Sequence, residues 1–385
     1  MPIAFSYLGV FVNRLMIKPI SFLLLISLMI VLVSCNNLDA INFESNTKAD
    51  IDEFIDEKTG QVVSISIVDE DNIYQYHFGK LNNGSTPNNQ TVYELASITK
   101  TYTGLVVAKA ILDRKIELNT DIRHYLKNNE YENLELSNKY ITFRHLITHT
   151  SGLPKDFAYS EEDAAKGIIV EKLSKYSRDK YFEDLEKVKL NSVPGAQYQY
   201  SNAGTKLVAY ILESVYKKPF ELLVSEIITT NSGEKSTEFR SINYEQDEIT
   251  IGINKYGERM PLLSPYSWAE GGLTSTVESV TSYIQHQLSS SSEVTLSHKL
   301  LDGNKSGHGR AFFWNTYNYN SSEQMLYHSG GSLGTSSWLA LYPKKKMGIF
   351  IITNISTKSA QEELNILSNK IVDNLMAYNK QINQD

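Results

Sequence analysis

Only one of the 385 residues is a cysteine, Cys35, so no intrachain disulfide can form. Basic blocks are equally scarce. The longest is Lys344-Lys345-Lys346, in a chain of net charge -7, which excludes binding to nucleic acid by bulk electrostatics. No internal repeat is present, and no low-complexity tract beyond the serine run 289–292, so a repeat array is excluded. The one long apolar run, residues 20–34 (ISFLLLISLMIVLVS), falls just short of a comfortable bilayer span. What remains is 41% hydrophobic and 21% charged, an ordinary globular balance with ample material for a core. Length alone suggests about two domains. The 24 tyrosines suit half-buried surfaces and clefts.

The lone cysteine is informative through its position. Lys18 precedes the apolar run, and Leu32-Val33-Ser34-Cys35 closes it. A basic start, an apolar middle and a small residue before the cut describe an export signal. Its ending resembles a bacterial lipobox, whose cysteine is lipidated and becomes the first residue. A plain N-terminal anchor with an incidental cysteine is the alternative. The cysteine at the end of the run favours lipidation. Met16 would open a tidier signal, MIKPISFLLLISLMIVLVSC, so Met16 is the expected start and residues 1–15 an addition to it. Residues 1–35 are therefore read as a lipoprotein signal. Residues 36–50, polar and aperiodic, read as a tether, and 51–380 as the folded domain.

Within that domain QVVSISIV and NIYQYHFGK alternate in polarity across the turn-like Asp69–Asn72, the pattern of paired strands. SITKTYTGLVVAKAILD is apolar on nearly every face and predicts a buried helix. ITFRHLITHTSGLP predicts a short helix stopped at Gly152 and Pro154. TKLVAYILESVYKK predicts another. SSWLALYP and MGIFIITN predict two strands parted by Lys344–Lys346. QEELNILSNKIVDNLMAY predicts a terminal helix with Leu364, Leu367, Ile371 and Leu375 inside. Stretches 155–190 and 230–262 are charged and weakly patterned, as loops and peripheral helices over a cleft would be. Strands at both ends around a helical middle predict an α/β fold. Its antiparallel sheet would join N- and C-terminal segments, flanked by helices, with a mainly helical subdomain inserted.

Serine is a poor nucleophile until a nearby base takes its proton. On a helix, residues i and i+3 share a face, so Ser97 and Lys100 can meet. A helix N-terminus favours the developing alkoxide, and burial lowers a lysine pKa toward working pH. The spacing alone is worth little, because Ser45, Ser177, Ser214 and Ser232 also have Lys three residues on. Ser97 differs by opening a largely apolar helix, and a buried lysine without a function is uncommon. A second element is Tyr200-Ser201-Asn202. A tyrosine hydroxyl can shuttle a proton, and an asparagine amide can bind a carbonyl. Tyr131-Glu132-Asn133 matches that bare spacing, but only Tyr200 sits on a Gly/Pro-flanked turn entering an apolar helix. The third element is His328-Ser329-Gly330-Gly331 before a strand. Its small residues leave room for substrate along the strand edge, and a backbone N–H there could join that of Ser97 in an oxyanion hole.

In this order the three elements resemble the serine β-lactamase and penicillin-binding superfamily, most of all its class C β-lactamase branch. That branch also holds DD-peptidases, D-aminopeptidases and esterases. YELASITKTYTG, ITFRHLITHTSGLP, PGAQYQYSNAGTKLVAYILE, AEGGLTST and HSGGSLGTSSWLALYPKKKMGIFIITN all look like blocks of the family, and the likeness covers roughly residues 50–375. It implies Ser97 as the acylated nucleophile and Lys100 as its base. Tyr200 would be the proton shuttle to the leaving group and a second candidate base. Asn202 would be a polar substrate ligand, and the N–H groups of Ser97 and Gly331 the oxyanion hole, with His328 and Gly330 beside substrate. Which of Lys100 and Tyr200 takes the first proton stays open. No metal or cofactor is implied.

One departure matters. β-Lactamases and DD-peptidases usually carry lysine where this chain has His328. A histidine with the ordinary pKa of about 6.5 is mostly neutral at pH 7, so recognition of a substrate carboxylate is weakened. It should recover as pH falls through that value. The expected function is hydrolysis of an amide or ester through a Ser97 acyl-enzyme. The substrate would be a β-lactam, a D-amino-acid peptide or a small ester. The protein would be a monomer on a bacterial cell envelope, held to the membrane by a lipid anchor and facing the periplasm or exterior. The alternative is a lapsed enzyme of the same fold that senses or sequesters cell-wall peptides or β-lactams. His145 and His149, four apart, could seat a metal. Residue 146 is leucine, however, where a zinc-protease pattern needs glutamate, and the pair is read as structural. Gly330, Gly331 and Gly334 precede a strand rather than a helix, which argues against a phosphate loop.

Overall fold

The computed structural model describes residues 42–55, 60–126, 131–231, 233, 236–240, 249–320 and 322–382. The expected signal, the lipidation site Cys35 and tether residues 36–41 lie outside them. The alternation near the start forms β1 (Val63–Asp69), which turns at Glu70 into β2 (Asn72–Phe78). The further strands are β3 (Val92–Glu94), β4 (Glu135–Leu136), β5 (Lys139–Tyr140), β6 (Glu238–Phe239), β7 (Leu273–Thr276), β8 (Asp302–Gly303), β9 (Gly307–Arg310), β10 (Asn315–Asn320), β11 (Glu323–Gly331), β12 (Ser336–Tyr342) and β13 (Met347–Thr353). Eight of them form one antiparallel sheet in the order β2-β1-β13-β12-β11-β10-β9-β8. Segments from the two halves of the chain therefore pair as the sheet's second and third strands, with Ile65 opposite Ile351 in the β1–β13 pair. All residues of β1, β12 and β13 are buried, so both faces of this central part are covered. β2 is half exposed, as an edge strand should be. β3, β7 and β6 form a second small sheet.

Helices form where the apolar pattern placed them. Thr99–Leu112 is buried along nearly its whole length. At Gly104 a Cβ would fall 2.3 Å from the carbonyl oxygen of Phe312, so glycine allows the helix its close approach there. The Val277–Gln287 helix covers β1 and β13. Its Thr281 hydroxyl lies 2.7 Å from that of Ser66 on β1. The terminal helix, Ala360–Ile382, buries all four residues expected of it.

By their internal contacts the described residues divide into two units, 42–49 with 373–382, and the described part of 50–372. The second unit holds every strand found among the described residues. In the first, the rings of Phe43 and Tyr378 stack at 6.1 Å.

Two expectations need correction. The tether was read through residue 50, but Phe43–Phe54 is a helix, in which Phe43, Thr47 and Ile51 recur every four residues and are buried. The short helix before Gly152 spans only Phe143–Ile147, because His149 takes a positive φ of 56° and ends it early. The stretch 155–190 carries the helices Glu161–Ala165, Ile169–Ser174 and Arg178–Lys187. Among the described residues no helix is long and apolar enough to cross a membrane.

Candidate active site

Ser97 sits in a 3₁₀ turn, Ala96–Ile98, that runs directly into the Thr99–Leu112 helix. Ala96 adopts φ 47°, a left-handed conformation that costs an alanine on the order of 1 kcal/mol. Packing on three sides holds it. Leu95 N–H donates to Leu273 O at 2.9 Å, and Leu273 N–H donates to Thr99 Oγ1 at 3.2 Å. Beneath the turn runs β11. A Cβ on Gly330 would lie 2.5 Å from Leu95 O and 2.3 Å from Ser337 Oγ. Gly330 is thus required by the seat of the nucleophile turn, a different service from the substrate contact expected of it.

Ser97 Oγ receives two donors. Lys100 Nζ approaches at 3.2 Å and the Tyr200 hydroxyl at 2.7 Å. Lys100 also donates to the backbone carbonyl of Glu270, and its Nζ stands 4.8 Å from the Tyr200 ring centre. No part of Lys100 reaches solvent. Burial pushes its pKa down to about 7; Glu270 and Asp156 oppose that shift and Lys206 adds to it. Burial acts on Tyr200 in the other direction and holds its hydroxyl protonated far into alkali, despite the bond to Ser97.

Tyr200 is itself held from behind. The His149 ring lies 4.5 Å from it, and Ser201 N–H donates to His149 Nδ1 at 3.2 Å. Gln199 N–H donates to His149 O at 2.7 Å. Burial, helped by the charge of Lys100, keeps His149 neutral. Ser201 then caps the Asn202–Tyr216 helix, its Oγ accepting from Gly204 N–H at 2.9 Å. His145 does something else: it closes a capping box with Thr142. The two histidines thus serve different neighbours.

Ser97, Asn202 and Gly331 share the wall of a cavity of about 60 Å³, with Asp156, Tyr159 and Glu270 among their neighbours. None of the described residues lining a larger cavity of about 240 Å³, near Val106 and Leu223, is a serine or cysteine. The Asn202 amide nitrogen donates to Tyr159 at 3.3 Å, while its buried Oδ1 has no partner. β10 pairs with β11 only through Tyr327, and β12 pairs with it through Gly331, so among the described residues His328–Gly331 has no strand on the β10 side. His328 is buried, and its Nδ1 lies 2.7 Å from Ser329 O. Burial and the charge of Lys100 push its pKa down to about 4. That corrects the expected value of about 6.5 and moves any protonation well below neutral pH.

Several site residues escaped the sequence reading. Lys206 Nζ lies 3.2 Å from both Asp156 Oδ2 and Glu270 Oε1, all three side chains being nearly inaccessible. Burial opposes the lysine charge, but the two carboxylates outweigh it and raise its pKa above the ordinary value. Lys206 stands four residues after Asn202 at the start of the apolar stretch Leu207–Leu212, the one local hint. Nothing local links it to residues 50 and 64 positions away. Glu94 also escaped. It is buried, accepts from Leu263 and Ser264 N–H at 2.6 Å each and from the Ser332 hydroxyl at 2.7 Å, and so ties β3 to the cavity wall.

Residues 48–371 match the family model described as Beta-lactamase. Protein flp of Staphylococcus aureus (strain MW2) is 26% identical over 298 residues, which is 74% of this chain and 57% of that protein. The chain thus spans a little over half the length of this relative. Among solved structures, a β-lactamase/D-alanine carboxypeptidase from Yersinia pestis superposes with TM-score 0.71 at 20% identity, over 86% of this chain and 98% of that one. A class C β-lactamase from Rhodobacter sphaeroides superposes with TM-score 0.69 at 15% identity, over 86% of this chain and 99% of that one.

Proposed function

The chain belongs to the beta-lactamase family, and from that premise we propose that it is a serine hydrolase that cleaves an amide or ester through a Ser97 acyl-enzyme. The observation that carries the reading is the convergence of Lys100 Nζ and the Tyr200 hydroxyl on Ser97 Oγ at a cavity wall. With its pKa near 7, Lys100 has a large neutral fraction at working pH. Its N–H bond to Glu270 O leaves the amine lone pair for Ser97. Lys100 therefore takes the serine proton as Oγ bonds to the substrate carbonyl carbon. Tyr200, whose hydroxyl resists ionisation, is the poorer base and the better donor. It passes its proton to the leaving nitrogen or oxygen as that bond breaks, and is refilled from protonated Lys100. Water then attacks the acyl carbon and gives one proton to Lys100; the bond between that carbon and Ser97 Oγ breaks, Lys100 returns the proton to Oγ, and the acid leaves. The N–H groups of Ser97 and Gly331 are assigned to the oxyanion, and Asn202 to the substrate.

At neutral pH His328 supplies no fixed charge for a substrate carboxylate. β-Lactams and carboxypeptidase substrates, which carry one, are for that reason less favoured than small esters or amides. The envelope location rests on the sequence of residues 18–35 alone. Cys35→Ser should release the protein from membranes, and a variant that stays bound would replace lipidation by an uncleaved helix. The activity is tested with a fluorophosphonate probe, fluorescent penicillin and p-nitrophenyl esters. Labelling and turnover that vanish in Ser97→Ala support the hydrolase. Labelling without turnover would point to the lapsed binding module, and no Ser97-dependent signal would sink both.

A further inference from the structure

The charges lining the Ser97 cavity are unbalanced. Asp156 and Glu270 are on its wall, whereas Lys206, the one cation among the described residues that both carboxylates touch, is not. Two carboxylates share the ammonium of Lys206, and Lys100, to which both are electrostatically coupled, carries only part of a charge near neutral pH, so the cluster is short of positive charge. Their other contacts are few. Asp156 Oδ1 accepts from Ala158 N–H at 2.9 Å, and Glu270 Oε2 from Trp268 N–H at 3.1 Å. Each carboxylate has about four acceptor sites, so acceptor capacity remains. Asn202 Oδ1, on the same wall, is buried without any partner. An uncommitted acceptor of that kind, buried beside a nucleophile, calls for a donor from a ligand.

We propose that this part of the cavity is an ammonium subsite, in which Asp156, Glu270 and Asn202 Oδ1 receive the free amino group of an amino-acid amide or ester whose carbonyl is presented to Ser97. The proposal rests on the acyl-enzyme reading and names its substrate class. An ammonium has three donors and no acceptor, the complement of this wall. The amino group of such a substrate is two bonds from the scissile carbonyl, so one small cavity can hold both. At about 60 Å³, against several hundred for most ligand pockets, and with Leu173 and Leu263 on its wall, it admits a short side chain. A substrate carboxylate in the same place would meet like charge, and His328 offers no compensation. A bound ammonium would also act on Lys100 in the same sense as Lys206, keeping the base unprotonated when substrate is present.

The test compares each free amine with its N-acetyl form. The D and L alanine p-nitroanilides are assayed against the acetylated compounds. Alaninamide and N-acetylalaninamide are titrated calorimetrically into Ser97→Ala, which reads binding without chemistry. The free amine of at least one enantiomer should win by tenfold or more in both assays. Asp156→Asn, Glu270→Gln and Asn202→Ala should each cut that ratio at least fivefold, read only on variants whose thermal melt stays cooperative. A ratio of one or less, or one that all folded variants leave unchanged, overturns the subsite. If p-nitrophenyl acetate is cleaved in a Ser97-dependent way without amine preference, the subsite falls and the hydrolase stands. If Ser97→Ala prefers the amine but wild type cleaves nothing, the subsite stands and the hydrolase falls.

Discussion

Replacing Lys100 by methionine should destroy activity and raise stability together, and the gain should depend on pH. The folded protein holds this lysine at a pKa of about 7, against 10.5 for an ordinary one. The difference corresponds to about 5 kcal/mol of destabilisation at any pH where both the folded and the unfolded lysine are protonated. Between those two values the unfolded state binds more protons than the folded one, so stability rises with pH there. The penalty is complete below pH 7 and gone above about 10.5. Methionine removes it but forfeits the bonds to Glu270 O and Ser97 Oγ, at a cost of about 1–3 kcal/mol. The variant should then be more stable than wild type by about 2–4 kcal/mol at pH 6, or roughly 3–6 °C in Tm for a domain of this size. The curves should cross near about pH 9, where penalty and lost bonds balance. Urea unfolding of both proteins from pH 6 to 10 measures this, and the difference between them cancels other titrations. The same pKa should appear in wild-type kinetics as a kcat/KM that climbs tenfold per pH unit up to about 7 and then levels. A variant less stable at pH 6, or a stability difference that ignores pH, would refute the reasoning.

Tyr200→Phe should lower kcat on anilides by about 10²–10⁴-fold, and much less on p-nitrophenyl esters, whose leaving group needs no proton. Equal losses on both would remove Tyr200 as the donor. Gly330→Ala should cost about 1–3 kcal/mol and slow acylation by a fluorophosphonate, because the new Cβ would displace Leu95 O and with it the Ser97 turn. Normal stability with normal labelling would show that the turn is seated otherwise. His328→Ala should leave the pH dependence for anionic substrates between pH 5.5 and 8 as it is in wild type, since the imidazole titrates near 4. A rise in wild-type kcat/KM toward pH 6 that the variant lacks would restore the ordinary histidine value.

Much of the fold was legible because local pattern and tertiary role agree. β1, β12 and β13 alternate or run apolar as buried strands do, and each is buried throughout. Ser97 and Lys100 were legible for the same reason: two residues three positions apart share one helical face and are close whatever else folds around them. The helix at Phe43 was missed because only three of its residues, Phe43, Thr47 and Ile51, are buried on one face, too sparse a stripe to stand out among polar neighbours.

By itself the sequence determined which serine and lysine meet, that the two ends of the chain supply the sheet, and that no disulfide contributes. Tertiary structure alone decided the protonation states, since a pKa depends on burial and on charges brought from distant positions. Lys100 falls to about 7 by burial, and His328 to about 4 by burial and the charge of Lys100. It also decided that Asp156 and Glu270 share Lys206 on a cavity wall, a meeting of three segments that no local spacing encodes. Gly330 shows the same division. Its place beside His328 can be read from the chain, but its need for glycine comes from a turn more than two hundred residues earlier that packs where a Cβ would stand.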